Sequence, residues 1–375
     1  MTTRILLTDA GYKHTLGAVR TLGKRGFYVM AGSASRHSIS FYSKYCREKV
    51  VYPSPRNERE FVDFLCNYVR EKKVDVILPI GYLASTTLSR HKSEFEGLAK
   101  LPVADYEFMQ VAGDKDRTMK FAASLGIKVP RMYTEKDQVS SFPVVVKGLM
   151  ESGKVSYANS HQDLSRLNLE NSLIQEYIPG EGYGFFALFN QGKPRAIFMH
   201  KRIREYPITG GPSTLAESIY DEELKRQGLR LLEALNWHGV AMVEFKKDRR
   251  DNEFKLMEIN PKFWGSLDLA TASGVDFPYL TAKMALEGDI EPLFAYRTGV
   301  RFRWLFPDDT MHLLSNPGCL GTFLRDFFDK DTQTNIWPGD ILPNLLQVGD
   351  TALQFFRRVK SGTLRYPYGR PEVKN

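Results

Sequence analysis

The sequence predicts an α/β protein that opens with a doubly wound parallel unit, and three stretches carry that expectation. The first is the order of the opening elements. An apolar run, Arg4 to Thr8, turns at Asp9-Ala10-Gly11. A helix-like segment, Thr15 to Lys24, is closed by Gly26, and Phe27 to Ala31 follows as a second strand. This β-turn-α-β order belongs to parallel sheets. The second stretch is Val74 to Pro79, apolar except for Asp75, as a strand buried on both faces requires. The third is FKLMEINPKFWGSL, Phe254 to Leu267. It alternates as a strand should, and Pro261 stops it because proline has no ladder donor.

The third stretch also carries chemistry. Glu258 and Asn260 are two residues apart, so a strand points them to one face. A carboxylate beside a carboxamide is an oxygen pair suited to magnesium. Fourteen residues earlier, GVAMVEFKKD offers Glu244 in another strand-like run. Pairing of the two runs would bring three oxygen-bearing side chains together. Alone, the pattern fits a β-hairpin with solvated polar edges equally well.

The 375 residues suffice for two or three domains. With 42% hydrophobic and 26% charged residues, the balance is that of a globular chain. A net charge of +8 suits polyanionic ligands. No Lys/Arg tract with interleaved aromatics argues for nucleic acid. Cys46, Cys66 and Cys319 are far apart and read as reduced thiols of a cytoplasmic protein. Neither a leader nor an 18-residue apolar run is visible, so no transmembrane segment is expected. Peripheral membrane association through the basic, aromatic C-terminus is left open.

Along the chain, Glu58 to Lys72 is amphipathic, and Val74 to Pro79 ends in the turn Ile80-Gly81-Tyr82. Such turns often hold ligands, which makes Asp9, His14, Arg36 and Tyr82 candidate contacts, each more simply read as capping or surface. The glycines after the first strand do not form G-x-G-x-x-G, so NAD is not assigned. Asp114-Lys115 opens a helix to Leu125, capped by Gly126; helix starts attract anions. Ser141 to Lys147 is a strand ending in lysine, followed by the Gly/Ser loop 148–154, whose N–H groups suit phosphate oxygens. The order GxxxxGK[ST] is absent. Asn190-Gln191-Gly192-Lys193 reads as a hairpin turn. Arg202 and Arg204, expected on one strand face before Gly210-Gly211, suit a phosphoryl group or a substrate carboxylate. Glu222 to Leu235 is an amphipathic helix, and His238 beyond it reads as a core or capping histidine. Two more helices follow Ser266. Beyond residue 300 the chain is rich in aromatics and broken by Pro and Gly, with helix-like stretches at 320–328 and 345–360.

Over roughly residues 1–300 the motifs resemble the ATP-grasp superfamily, in particular its carbamoyl-phosphate-synthase-like carboxylate–amine ligases. The stretches concerned are DKDRTMKFAASLGIKVP, FPVVVK, IQEYIPGEG, RIREYPITGG and MEINPKFWGS. The resemblance implies an ATP-grasp fold preceded by a Rossmann-like α/β domain. The expected divisions are 1–112 for that domain, 113–178 for a small lid, 179–300 for the large subdomain with the metal site, and 301–375 for a C-terminal extension. It implies nucleotide contacts at Lys115, Lys147, Ser152, Gly153, Gln175, Glu176, Tyr177, Ile178 and Glu181, with adenine on the backbone of Glu176 and Ile178. It implies magnesium, with manganese as a substitute, on Glu244, Glu258 and Asn260, and phosphate or substrate handling by Arg202, Arg204 and Lys262. Two departures stand out. Lys262 replaces the usual arginine and loses its fork. Glu181 falls one place before the usual ribose-binding acid, where Gly182 sits. The implied reaction activates a carboxylate as an acyl phosphate and joins it to an amine. The rivals are a carbamoyl-phosphate-forming or kinase-like enzyme and an ATP sensor without turnover. Small carboxylates and amines are the expected partners. The extension closes the site, forms a homodimer interface or meets another partner.

Overall fold

Short apolar runs punctuated by glycine and proline build three sheets in the computed structural model, which describes residues 2–150, 155–366 and 370–372. The first contains β1 (Arg4–Leu7), β2 (Tyr28–Ser33), β3 (Glu48–Val51) and β4 (Val76–Leu78), all parallel, in the order β3-β2-β1-β4. Helices α1 (Lys13–Lys24), α2 (Glu58–Lys72) and α3 (Tyr82–Arg90) connect and cover them. Gly26 takes φ +85 after α1, the left-handed step that glycine makes without a Cβ penalty. Two further helices follow, α4 (Tyr106–Gly113) and α5 (Lys115–Ser124).

The second sheet is small and antiparallel. Its strands are β5 (Met132–Tyr133), β6 (Val144–Gly148), β7 (Val155–Ala158) and β8 (Ser172–Glu176), in the order β5-β8-β6-β7. With the short helix α6 (His161–Ser165) it closes a core of its own around Val144, Val146, Leu164 and Ile174.

The third sheet holds β9 (Gly180–Asn190), β10 (Lys193–Glu205), β11 (Ser213–Ser218), β12 (Gly239–Asp248) and β13 (Phe254–Asn260). Gln191 (φ 46) and Gly192 (φ 76) make the tight turn between β9 and β10, the two positive φ values that a type I′ hairpin demands. One face of this sheet packs on α7 (Glu222–Ala234) and on α4 and α5, with Phe185, Val243, Leu256, Leu231 and Met119 in one core. The other face packs on α8 (Leu267–Ser273), α9 (Phe277–Glu287) and the first sheet, around Phe186, Phe198 and Trp264. Burying each such side chain contributes about 1.5–3 kcal/mol. Helix α5, which the boundaries read from the sequence group with the lid, thus lies in the core of the large sheet.

The extension is interwoven as well. Its strand β14 (Arg301–Arg303) pairs with β11, and β15 (Thr332–Thr334) completes the order β13-β12-β9-β10-β11-β14-β15. Helices α10 (Thr310–Ser315), α11 (Leu320–Phe328) and α12 (Leu342–Lys360) surround it. Arg20 of α1 is 3% exposed and binds the Asp340 carboxylate at 2.8 Å, fastening the tail to the first domain.

Candidate active site

Strand register brings the acidic residues together. β12 and β13 are antiparallel with Glu244 directly opposite Glu258. Asn260 donates its amide N–H to Glu258 at 3.0 Å and lies 3.5 Å from Glu244. Lys115, first residue of α5, reaches Glu258 at 3.5 Å and donates to the Met150 carbonyl at 3.0 Å. Arg202 comes from β10, beyond the intervening β9, and meets Glu244 at 2.6 Å. Its path is open because β9 carries Gly182 there; a Cβ at that position would lie 2.8 Å from the Arg202 Cδ. The glycine that displaces the expected acid thus has a steric reason to be glycine.

Electrostatics tie Lys147 to the same cluster. Burial lowers its ammonium to about 8; Lys115 and Lys246 push the same way, and Glu258 and Glu244 oppose. Burial and the neighbouring Glu258 raise Glu244 against the pull of Arg202. Burial also pushes Glu258 upward, but Lys115, Lys147, Asn260 and Arg202 outweigh it and hold this carboxylate below its usual range. The pair is therefore split, as two carboxylates sharing one site among cations must be.

Other expected residues are placed differently. The register of β10 slips between Arg202 and Arg204 and again before Glu205, so the two arginines part. Arg204 binds Asp309 through two bonds of 2.9 Å and Asp326 at 2.5 Å. Alternation turns Glu181 to the face opposite Gly182, and Tyr183 donates to it at 3.2 Å. The Glu176 N–H is spent on the Arg131 carbonyl, and its carboxylate on Arg250 at 2.6 Å. Gln175 is buried beside Met132. Tyr177 packs edge-on to Tyr157. Ser152 and Gly153 lie outside the described residues. The α5 N-terminus is capped by Asp114, which accepts from the N–H groups of Asp116 and Arg117, so the anion attraction expected of that helix start falls to the Lys115 side chain. His238 accepts from Gln191 N and is lowered to about 4, chiefly by burial.

A second cluster lies where the strand order of the first, all-parallel sheet switches, between β1 and β4. Asp9, at φ 56, accepts from Thr8 Oγ1 at 2.5 Å and from Gly81 N at 2.8 Å, and burial raises its carboxyl. His14 is buried and stacked on Tyr12 at 5.0 Å, and burial with the charges of Lys262 and Lys13 pushes its imidazole well below the usual range. Lys262, two residues past Asn260, thus faces the first domain. Tyr82 sits against Gly113, and Arg36 is exposed.

Residues 168–306 match the family described as ATP-grasp in the biosynthetic pathway with Ter operon. The chain superposes on the N5-carboxyaminoimidazole synthetase of Staphylococcus aureus complexed with ADP, with a TM-score of 0.66 over 86% of this chain and 87% of that one, at 16% identity. The chain has the ATP-grasp fold. Among curated relatives, the carbamoyl phosphate synthase large chain, N-terminal section, of Methanopyrus kandleri is 24% identical over 63% of this chain and 47% of its own. The D-alanine–D-alanine ligase of Fusobacterium nucleatum is 32% identical over 44% of this chain and 63% of its own. The chain thus spans about half to three fifths of the curated relatives it matches.

Within this ATP-grasp frame, one cleft residue escaped the sequence reading. Lys246 donates to the Ile178 carbonyl at 2.9 Å and lies over the Tyr177 ring. Burial lowers its ammonium. The signal was present: Lys246 is two past Glu244, hence on the same face, but in EFKKD it resembles a solvated lysine. The donor set fits a hard divalent cation. Two carboxylates and a carboxamide converge, and rotating the Asn260 amide presents its oxygen. Among the described residues no group of three His, Cys, Asp or Glu side chains could hold a metal; the set here is two carboxylates and a carboxamide.

Proposed function

We propose that this ATP-grasp protein is an ATP-dependent, ADP-forming carboxylate–amine ligase. The observation that carries the reading is the convergence of Glu244, Glu258 and Asn260 with Lys115, Lys147 and Arg202. Glu244, Glu258 and Asn260 would hold magnesium, which when bound neutralises phosphate oxygens. Lys115, Lys147 and Lys246 orient the nucleotide by charge from rigid elements. Arg202 offers its guanidinium to the transferring phosphoryl group once its hold on Glu244 is exchanged. With a carboxylate activated as an acyl phosphate, an amine displaces phosphate and no protein nucleophile is needed. Positioning and charge then supply the catalysis. The second cluster deepens this reading. Asp9, His14 and Lys262 stand at the switch in strand order where α/β sheets bind ligands, and the chain runs from Asn260 to Lys262 in two residues, so a substrate there borders the phosphate site.

The test is magnesium-dependent ADP release over a panel of amino acids and small carboxylates, each with and without an amine. ADP formed only with both substrates is expected. ADP from a carboxylate alone would replace ligation with a kinase reaction. Nucleotide binding with no ADP from any pair would favour a sensor.

A further inference from the structure

Helix α12 is mounted inside out. Its buried side chains include Asn344, Gln347 and Thr351, which are polar. Asn344 accepts from Trp337 N at 3.0 Å and donates to the Asn335 carbonyl at 2.9 Å, and its amide also meets Gln347. The apolar residues Leu345, Leu346, Leu353, Phe356 and Val359 point the other way and are 40–68% exposed. At 100° per residue they fall within an arc of about 140°. A soluble helix normally buries that arc. Here the polar contacts hold the helix in place with its apolar arc turned outward. Nearby in the chain, α11 exposes Phe327 and Phe328, the latter at 85%. Single exposed leucines need no explanation, but a continuous helical face does.

Charge identifies the occupant. α12 carries one acid, Asp350, against Arg357, Arg358 and Lys360 at its C-terminal end, and Arg365 and Arg370 follow. Arg357 and Lys360 are exposed. A second copy of the helix would bring more base and almost no acid to meet it. An exposed Leu/Phe face followed by a basic end is the pattern of helices that lie in the plane of a bilayer, with the apolar side among acyl chains and the bases on anionic headgroups. We propose that α12 docks this chain on an anionic phospholipid surface.

Vesicle co-sedimentation of the full chain tests this. The probes are vesicles of phosphatidylcholine with phosphatidylglycerol, and vesicles of phosphatidylcholine alone. Binding is expected to the mixed vesicles only. The double change Phe356→Ser/Val359→Ser should abolish it. Arg357→Gln/Arg358→Gln should weaken it about 30-fold. All four positions lie on the outer or terminal part of the helix, and an unchanged thermal unfolding midpoint shows that each variant folds. Absence of the wild-type chain from the anionic pellet would overturn the proposal. So would binding indifferent to the Phe356/Val359 change, since that is adsorption by charge alone. A concentration-dependent dimer, dissolved by that change without vesicle binding, would overturn it in favour of a second copy.

Discussion

Arg202 and Arg204 come from one strand, two residues apart, and live in opposite circumstances. Arg204 joins Arg303, Asp309 and Asp326 in a closed set, two cations against two carboxylates, with Arg303 fully buried between Phe323 and Phe327. Arg202 sits in a cleft where Lys115, Lys147 and Lys246 join it against Glu205, Glu244 and Glu258. The closed set is balanced and dry, so its charges can only hold the tail to the sheet. The cleft set has cations to spare and its three acids, Glu244, Glu258 and Glu205, are still 19%, 26% and 30% exposed, so its charges can change partners. Chemistry needs the second kind of arrangement and a scaffold needs the first.

That contrast can be broken by mutation. Glu258→Gln should cost the most activity, about 10³-fold in magnesium-dependent ADP release, with little change in the urea midpoint. Near wild-type turnover by the folded variant would remove Glu258 from the metal assignment. Asp309→Ala should do the reverse. Leaving Arg204 and Arg303 buried without their shared carboxylate costs about 3–5 kcal/mol of stability, measured by urea unfolding; a loss below about 1 kcal/mol would mean the set is no scaffold. Arg202→Ala should lower turnover about 10²-fold, whereas Arg204→Ala should act through the melting curve. If both arginines moved the same observable, the two would not play separate roles.

The smallest effect is one of pH. The Lys147 ammonium, lowered by burial to about 8, is charged below that value and neutral above it. Nucleotide affinity should therefore fall up to roughly tenfold as pH rises through 8 to 9, as read by calorimetry. The unliganded chain should respond with the opposite sign. Between about 8 and the ordinary lysine value of 10.5 the unfolded form binds more protons at this site, so its contribution to stability rises with pH. In Lys147→Ala both slopes should vanish.

Much of this was legible from residues. Alternation in Phe254–Asn260 and its proline stop gave the strand and the shared face of Glu258 and Asn260, and helix and turn punctuation gave Gly26, Gly126 and the 190–193 hairpin. The parting of Arg202 and Arg204 was not legible. It depends on β-bulges, which leave no compositional mark, and on Asp309, whose distance along the chain conceals it. The joining of β14 to β11 was hidden for the same reason: three residues, Arg-Phe-Arg, are too short to announce a strand. The outward face of α12 was unreadable on principle, because hydrophobic periodicity shows that a helix has two sides and not which one meets the protein.

The clasp between Arg20 and Asp340 bears on how far the molecule can be divided. A chain shortened before residue 340 would retain Arg20 inside the first domain and lose the carboxylate that neutralises it. An isolated buried cation of this kind costs about 3–5 kcal/mol, a large share of what a domain has to spare. The N-terminal helix and the turn that leads into the final helix of the tail are one unit of stability, so the minimal fragment that keeps the candidate site intact is nearly the whole chain.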